Sequence, residues 1–481
     1  MPLDSELCYR SLSARDTRFD GMFFVGVTTT GIYCRPICPA RTPRQDRCRF
    51  FDNPAAAERE GFRPCLRCRP ELAPGRAPVD AVSRAAAAAV ARIEAGAMNE
   101  GSFDALAAEL GLSGRQLRRA IEHEYGVAPV ELAQTQRLLL AKRLLTETQI
   151  RIADVAFASG FSSLRRFNHL FRSRYGLSPS ALRRNRPAVE VGDTIQLKLA
   201  YRPPLDWGAL QGFLAGRGAA CVETADGERY LRTVRIGESS GWLAVAPIAG
   251  EAALGVEVAV SLLPVLTTLL ARLRRLFDLD ANPFAVSEHL RTDPRLRDSV
   301  LRRPGLRVPG AFDGFELALR AVLGQQVSVK AATTLFGRFA RAYGEELATP
   351  HPALTHTGPL AGRIAEASQE ELAALGLPRT RAATVRGLAR AVSGGQVRLE
   401  PGVDPQRTME ALKALPGIGD WTAQYVAMRA LRDPDAFPAS DLGIYRSLGV
   451  SRPRDALAAA EGWRPWRAYA VMHLWIGYGG G

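Results

Sequence analysis

The sequence lacks any run of about 18 apolar, uncharged residues, and its first residues contain no apolar stretch of the secretory-signal kind. These absences argue against a membrane-spanning helix and favour a cytoplasmic protein. Cysteine is scarce, with 7 in 481 residues. So few cysteines, odd in number, favour metal binding or a reactive thiol over a disulfide framework. No fixed-period repeat of the solenoid kind is present.

Acidic residues are also in deficit, since 49 Asp and Glu face 63 Lys and Arg, which leaves a net charge of +14. The excess is uneven: residues 1–189 carry 29 basic and 19 acidic side chains, whereas residues 190–481 carry 34 and 30. Nearly all the basic residues are arginine, which suits bidentate contacts to phosphate and guanine. Nucleic acid is therefore the favoured partner, with an acidic membrane surface as the alternative.

The length and composition predict a folded protein of several domains. A hydrophobic content of 47% gives ample apolar surface to bury. At about 100–200 residues per domain, three domains are expected. The proline-rich segment 70–78 and the arginine-rich segment 183–187 predict linkers. The predicted domains are therefore 1–75, 78–187 and 190–481.

Four of the cysteines form two close pairs, Cys34-x3-Cys38 and Cys65-x2-Cys68. Two such pairs allow four thiolates to reach tetrahedral geometry around zinc. The surrounding segment has few aliphatic residues, so a bound metal would compensate for a small core. A purely structural zinc site is the simplest interpretation. Cys48 lies between the pairs, and spacing alone does not settle which cysteines bind.

The residues around these pairs, 29–38 and 61–68, resemble the N-terminal domain of Ada, a bacterial methylation-damage sensor. The resemblance implies a small α+β domain in which one zinc thiolate takes a methyl group from a methylphosphotriester of double-stranded DNA. By position in the motif the acceptor is Cys34. Nearby arginines, among them Arg35 and Arg67, are expected to contact phosphates. The other implied zinc ligands are Cys38, Cys65 and Cys68.

Residues 80–184 are predicted to be entirely helical and contain two helix-turn-helix patterns. In the first, Gly111 turns the chain and Ser113 caps the next helix. The second pattern turns at Gly160. The second helix of each pattern carries residues expected to contact DNA, namely Arg115, Arg118 and Arg119, and then Arg165, Arg166 and Asn168. Leu164, Phe167 and Phe171 are expected to face the core.

Two such patterns about 50 residues apart resemble an AraC-type DNA-binding domain, which Ada carries after its zinc domain. The resemblance implies two recognition helices in successive major-groove segments, and RNA polymerase as a partner. A helical bundle with an exposed arginine face is the alternative. Ada ends in an alkylguanine transferase with a Pro-Cys-His-Arg motif, which is absent here. Cys221 is predicted to be a buried core thiol.

The last segment begins with short strand-like runs, such as Thr194 to Leu199 and Tyr230 to Ile236, and is predicted to become helical from about residue 262. Residues 415–423 form a helix-hairpin-helix motif, whose hairpin contains Gly417 and Gly419. Its backbone N–H groups can meet a DNA phosphate at the start of the next helix. About 20 residues further on lies Asp441. A hairpin followed at this spacing by an aspartate is typical of base-excision glycosylases, whereas an Asp alone could simply cap a helix.

The whole region 190–481 resembles AlkA, the broad-specificity 3-methyladenine DNA glycosylase, with an antiparallel β part at 190–265 and a helical part at 266–481. The matching stretches are 203–207, 303–307, 320–325 and 463–469. The resemblance implies that Asp441 is the catalytic carboxylate. It also implies a pocket for the flipped alkylated base, lined by Phe213, Trp421, Tyr425 and Trp475, although each aromatic could instead belong to the core.

Two positions set the expected chemistry apart from that of relatives. Bifunctional glycosylases place a Schiff-base lysine where this chain has Trp421, so hydrolysis without strand nicking is expected. The residue that AlkA inserts into the DNA stack is a leucine, and here it is Gln326, next to Gln325 of the same pocket region. A polar residue fills the gap less hydrophobically but can hydrogen-bond the orphan base.

The sequence therefore predicts a mainly helical, multidomain regulator and repair enzyme with one zinc ion and no organic cofactor. Two alternatives remain open at this point. One is a DNA-binding transcription factor whose glycosylase region is inactive. The other is a plain glycosylase that carries a structural zinc module.

Overall fold

The computed structural model describes residues 4–74, 84–183, 192–400 and 402–477. The predicted domain boundaries at 75–78 and 187–190 lie outside these residues. The chain divides into two structural units. The first is Met1–Pro203 with Ile248–Ala271 and Leu279–Ala281, and the second is Pro204–Pro247 with Arg272–Asp278 and Asn282–Gly481. The predicted zinc and helix-turn-helix segments thus fall within a single unit.

A small sheet with two helices forms residues 4–74. Strand β1 pairs antiparallel with β2 and β3, and β2 pairs parallel with β4, in the order β3-β1-β2-β4. Aromatic side chains fill its core because few aliphatic ones are available: Phe24, Tyr33, Phe51 and Phe62 are all buried. The elements are α1 Ser5–Ser13, β1 Phe24–Val27, β2 Ile32–Cys34, β3 Cys48–Phe51, α2 Pro54–Arg59 and β4 Arg63–Pro64.

Eight helices form residues 84–183, as the sequence predicts. Ser113 caps α6 in a reciprocal capping box with Gln116, and Gly111 at φ 73° makes the preceding turn. The elements are α3 Arg84–Glu94, α4 Ala97–Glu100, α5 Phe103–Glu109, α6 Gly114–Tyr125, α7 Pro129–Glu147, α8 Ile152–Ala158, α9 Leu164–Tyr175 and α10 Pro179–Arg183.

Helix α9 is held by a row of rings on one face. Phe167, Phe171 and Tyr175 recur every four residues, are buried, and contact one another edge to face. Leu164 was expected on this face, but it is 38% exposed because it opens the helix at its N-terminus. The opposite face of α9 is thereby left to polar side chains.

Buried charges join the zinc segment to α7. Lys142, which is 1% exposed, donates to the Glu71 carboxylate at 2.6 Å and to the backbone carbonyl of Cys65 at 3.1 Å. Glu58 accepts from Tyr33 and Thr135, each at 3.0 Å, and burial raises its pKa. A charge taken out of water must be paired, so these contacts explain why the two segments form one unit.

Residues 192–259 contain five strands, which confirms the predicted β part. Strand β5 pairs antiparallel with β9, and β7 pairs antiparallel with β6 and β8. A helix that the strand pattern did not predict lies among them and begins at Trp207, with Asp206 as its cap. The elements are β5 Thr194–Ala200, α11 Trp207–Ala215, β6 Glu223–Asp226, β7 Arg229–Ile236, β8 Ser239–Pro247 and β9 Ala253–Ala259.

The rest of the described chain is helical, as predicted. Its helices are α12 Leu266–Leu276, α13 Pro283–Leu290, α14 Arg297–Arg302, α15 Gly314–Leu323, α16 Val329–Tyr343, α17 Ala361–Glu366, α18 Gln369–Ala374, α19 Arg379–Ser393, α20 Pro405–Lys413, α21 Asp420–Arg429, α22 Leu442–Leu448, α23 Pro453–Ala460 and α24 Arg467–Gly477. No helix in the described ranges is long and apolar enough to cross a membrane.

Candidate zinc, DNA-binding and base-excision sites

The parallel pairing of β2 with β4 brings the two cysteine pairs together. Cys34 ends β2 and Cys65 directly follows β4, whose register is set by Tyr33 opposite Pro64. The backbone N–H of Cys65 donates to the Tyr33 carbonyl at 2.9 Å. As a result the four sulfur atoms of Cys34, Cys38, Cys65 and Cys68 lie within 4.8 Å of one another, and all four residues are buried.

The donor set fits a zinc ion. Tetrahedral thiolate sites have Zn–S distances of about 2.3 Å, which places sulfur atoms roughly 4 Å apart. A hydrogen bond with Cys38 is the main cause that raises the pKa of Cys34, and a hydrogen bond with Cys34 lowers that of Cys65. Four thiolates at this spacing repel one another, so a bound cation is needed for all four to be ionised together. Cys48, left open by the spacing, instead bonds the Arg44 carbonyl at 3.3 Å.

The arginines near the cysteines divide into buried and exposed groups. Arg35 is 7% exposed, its Nε donates to Asp20 at 2.8 Å, and its Nη1 donates to the Cys68 carbonyl at 3.1 Å. Arg35 therefore stabilises the cysteine loops through these buried hydrogen bonds, and its placement does not support the expected DNA contact. Arg67 is exposed, as the expected role requires.

The expected DNA-reading residues of both helix-turn-helix patterns are exposed. Leu117 and Ile121 bury one face of α6, and the rings of α9 bury one face of that helix. The remaining faces carry Arg115, Arg118 and Arg119 on α6 and Arg165, Arg166 and Asn168 on α9, all open to solvent. Two basic helix faces capable of entering a major groove are therefore present.

Asp441 lies at the N-terminus of α22, and its carboxylate accepts three hydrogen bonds. The indole N–H of Trp421 donates to Oδ2 and that of Trp475 to Oδ1, both at 2.9 Å, while the backbone N–H of Ile444 donates to Oδ1 at 3.1 Å. Asp441 is thus a helix cap, the simple interpretation of an isolated Asp, and also a carboxylate held by two aromatic donors. Gly443 permits this packing, because a Cβ there would lie 3.0 Å from Asp441 Oδ1 and from the Trp475 ring.

The four predicted pocket aromatics lie together beside this carboxylate. Trp421 and Tyr425, one turn apart on α21, stack with ring centroids 5.1 Å apart and planes 10° from parallel. Phe213 of α11 and Trp475 of α24 are also nearly parallel, at 6.1 Å and 13°. Tyr425 and Trp475 connect the two pairs at 6.3 Å. Such a group offers electron-rich ring faces to a cationic base.

Two arginines at this site were not predicted from the sequence. The Arg217 guanidinium lies 3.8 Å from the centre of the Phe213 ring, and that of Arg429 lies 4.9 Å from it. Arg429 also donates to the Tyr425 hydroxyl at 2.6 Å. Burial is the main cause that lowers the pKa of Arg217. Arg429 could have been found, since it continues the four-residue spacing of Trp421 and Tyr425, but no local pattern marks Arg217.

The hairpin has the expected geometry. Gly417 has φ 86°, and Gly419 precedes the first residue of α21. Residues 324–328, the wedge loop, connect α15 to α16. Within it Gln326 is exposed and has φ 56°. The side-chain amide of Gln325 donates to the Gly417 carbonyl at 3.0 Å and to Thr422 at 3.1 Å, so Gln325 binds the hairpin, a role that the sequence did not predict.

Four family models match successive parts of the chain. They are the metal binding domain of Ada at 7–71, a helix-turn-helix domain at 106–185, the AlkA N-terminal domain at 196–313 and the HhH-GPD superfamily base excision DNA repair protein at 319–458. Their order is the order of the sites described above.

Known proteins resemble the whole chain and its parts. A probable bifunctional transcriptional activator/DNA repair enzyme AlkA of Mycobacterium tuberculosis is 42% identical, covering 98% of this chain and 96% of that protein. DNA-3-methyladenine glycosylase 2 of Escherichia coli is 38% identical over 58% of this chain and 95% of its own length. The solved 3-methyladenine DNA glycosylase of Archaeoglobus fulgidus covers 58% of this chain and 97% of that one, with a TM-score of 0.50 at 19% identity, a likeness of fold alone.

Proposed function

The chain belongs to the family of bifunctional transcriptional activator/DNA repair enzymes of the AlkA type, and we propose that its C-terminal region is a monofunctional glycosylase that releases alkylated bases such as 3-methyladenine from double-stranded DNA. The observation that carries this proposal is the Asp441 carboxylate, held by two indole N–H groups beside four clustered aromatic rings.

The reaction breaks the bond between sugar C1′ and the ring nitrogen of the base. Alkylation makes the purine cationic, so it leaves as a neutral base and its positive charge passes to the sugar. The negative charge of Asp441 stabilises that oxocarbenium-like sugar, and water then adds to C1′ and releases a proton to solvent, which leaves a hydroxyl there. The aromatic faces receive the flipped base before the bond breaks. Trp421 occupies the position of a Schiff-base lysine, so the product is an intact strand with an abasic site.

The experiment measures 3-methyladenine released from methylated duplex DNA under single-turnover conditions. Asp441→Asn should lower the rate by at least about 100-fold, because the charge is lost. Asparagine also caps helices well, so the fold should survive. Asp293→Asn is the matched control, since Asp293 accepts the indole N–H of Trp463 at 2.7 Å elsewhere in the chain. No base release from the unsubstituted protein would favour a transcription factor with an inactive glycosylase region.

We further propose that Cys34 accepts the methyl group of a DNA methylphosphotriester. The Cys34 sulfur attacks the methyl carbon, an S–C bond forms, the C–O bond breaks, and the phosphate leaves as a diester anion. Zinc, when bound by the four cysteines, keeps the sulfur ionised at neutral pH. Cys34 is 8% exposed, and Arg67 near it is exposed to receive a phosphate.

Mass spectrometry of the N-terminal peptides tests this step after incubation with DNA that carries methylphosphotriesters. One methyl group is expected on Cys34. Cys48→Ser should leave that methylation unchanged, because Cys48 lies outside the four-sulfur cluster. Zinc bound at full stoichiometry with no methyl on Cys34 would make the zinc site structural and the protein a plain glycosylase.

A second function, methylation-responsive gene regulation, is favoured by the two exposed basic helix faces. Methylation turns a thiolate into a neutral thioether, which removes one negative charge and should strengthen DNA binding. The protein would then act at the nucleoid in the cytoplasm, with RNA polymerase as its partner. Footprinting before and after methylation tests the idea, since Arg165→Ala or Arg118→Ala should weaken protection of one half of the operator each. A footprint independent of methylation would refute the switch.

A further inference from the structure

The wedge loop and the hairpin are joined by direct hydrogen bonds. The side-chain amide of Gln325 reaches the hairpin at the Gly417 carbonyl, 3.0 Å away, and at Thr422 Oγ1, 3.1 Å away. From the other direction, Arg381 Nη2 of α19 donates to the backbone carbonyl of Gln325 at 2.7 Å. Gln325 is therefore held through both its side chain and its main chain.

Helix α19 also packs against the hairpin itself. Thr384, one turn after Arg381, lies so close to the turn that a Cβ on Gly417 would stand 2.1 Å from its hydroxyl. Gly417 is thus required here both for its φ of 86° and for this close approach. The wedge loop, the hairpin and α19 form one packed assembly. Within it α19 contacts the wedge loop through Arg381 and the hairpin through Thr384.

The residue presented by this assembly is Gln326. It has φ 56°, a left-handed conformation that strains a residue with a side chain and persists only where its surroundings fix it. The neighbouring Gln325 is the residue so fixed. Gln326 and Val327 are exposed, so they are free to meet a DNA duplex.

We propose that Gln325 and Arg381 are positioning residues, which hold the inserting Gln326 at a set distance from the phosphate bound by the hairpin. Binding of the DNA backbone by the hairpin and insertion of Gln326 into the base stack then occur together. The inference rests on the proposed glycosylase function and adds to it the means by which a paired base is expelled. A base that has no partner in the opposite strand need not be unpaired before it flips. Loss of this positioning should therefore have little effect on the rate of excision of an unpaired lesion.

The test uses the full chain and a labelled strand with a single adenine, methylated and annealed to a partner that carries either thymine or an abasic analogue opposite it. Gln325→Ala should lower the rate of 3-methyladenine release from the paired duplex about tenfold, yet change release from the unpaired one by less than about twofold. Arg381→Ala should show the same selective loss, and Arg381→Lys, which keeps a donor, should restore part of it.

Matched controls separate positioning from general damage. Arg338 donates to the Leu375 carbonyl at 2.8 Å and Arg363 donates to the Gly344 carbonyl at 2.6 Å, and none of these four residues belongs to the wedge loop, the hairpin or α19. Arg338→Ala and Arg363→Ala should leave both rates unchanged. An equal loss on paired and unpaired DNA, or no loss on paired DNA, would overturn the inference while leaving the glycosylase intact. Absence of release by the unsubstituted protein from either duplex would instead reject the proposed function.

Discussion

Replacing Trp475 by phenylalanine removes one of the two indole N–H groups that hold the Asp441 carboxylate, while keeping an aromatic ring opposite Phe213. A hydrogen bond to a charged group contributes about 1.5–3 kcal/mol. At about 1.4 kcal/mol per tenfold in rate, this sets an upper range of about 10- to 100-fold, because the part of the bond energy already present in the ground state does not change the rate. The carboxylate keeps two other donors, Trp421 and the Ile444 backbone, so we expect a loss near the lower end.

The assay is single-turnover release of 3-methyladenine, with two comparisons. Trp463→Phe removes an indole bond of the same kind, to Asp293 at 2.7 Å, and should leave the rate unchanged. In an Asp441→Asn background, Trp475→Phe should have little further effect, because the charge it supports is gone. A Trp475→Phe rate within twofold of the unsubstituted protein, or an equal loss in Trp463→Phe, would refute the idea that the indole donor assists catalysis.

Three further predictions concern stability and the rate of excision. Lys142→Met should lower the free energy of unfolding by about 2–3 kcal/mol, since it leaves the buried Glu71 carboxylate with Arg69 as its remaining cationic partner. Lys198→Met at an exposed pair should cost less than about 1 kcal/mol; equal melting temperatures would contradict this. Burial lowers the pKa of His473 to about 4 from 6.5, so the unfolded chain takes up its proton first and stability falls as the pH drops through that window, by up to about 3 kcal/mol. The melting temperature of the unsubstituted protein should therefore fall between pH 7.5 and 4.5, and it should fall less steeply in His473→Gln. An equal pH dependence of the melting temperature in both proteins would contradict this role of His473. Arg217→Met should raise the rate of 3-methyladenine release about five- to tenfold, because it removes a positive charge that lies 3.8 Å from the centre of the Phe213 ring, beside the pocket proposed to receive a cationic base. The exposed Arg302→Met is its control, and an unchanged rate in Arg217→Met would exclude a charge effect.

Features that depend on residues close together in the sequence could be predicted from it. The spacing of two close cysteine pairs predicted a four-thiolate site because each pair needs only one short turn, although Cys48 stayed open until the structure placed it outside the cluster. Ser113 marked a helix start that the structure confirms. The strand-like runs and the helical stretches also lie where predicted, apart from α11, whereas the α+β zinc domain was expected from the resemblance.

Contacts between distant residues could not be read in this way. Trp421 and Trp475 are 20 and 34 residues from Asp441, and nothing nearby in the sequence shows that both indoles donate to it. Arg35 carries a charge beside the cysteines and so suggested DNA, but its partner Asp20 is 15 residues away in an unrelated turn. Gln325 was assigned to the pocket through its neighbours, while its amide faces the hairpin 92 residues on.

The buried ammonium of Lys142 has a consequence for how this protein can be divided. A fragment cut between the zinc segment and the helices would expose α7 with a lysine whose carboxylate and carbonyl partners have been left on the other piece. Such a lysine loses both partners that fix it, and the surface of α7 that the zinc segment covers is opened to water. A chimaera that replaces the zinc segment by that of a relative would therefore have to take α7 from the same relative. The zinc segment and α7 would then be exchanged as one unit.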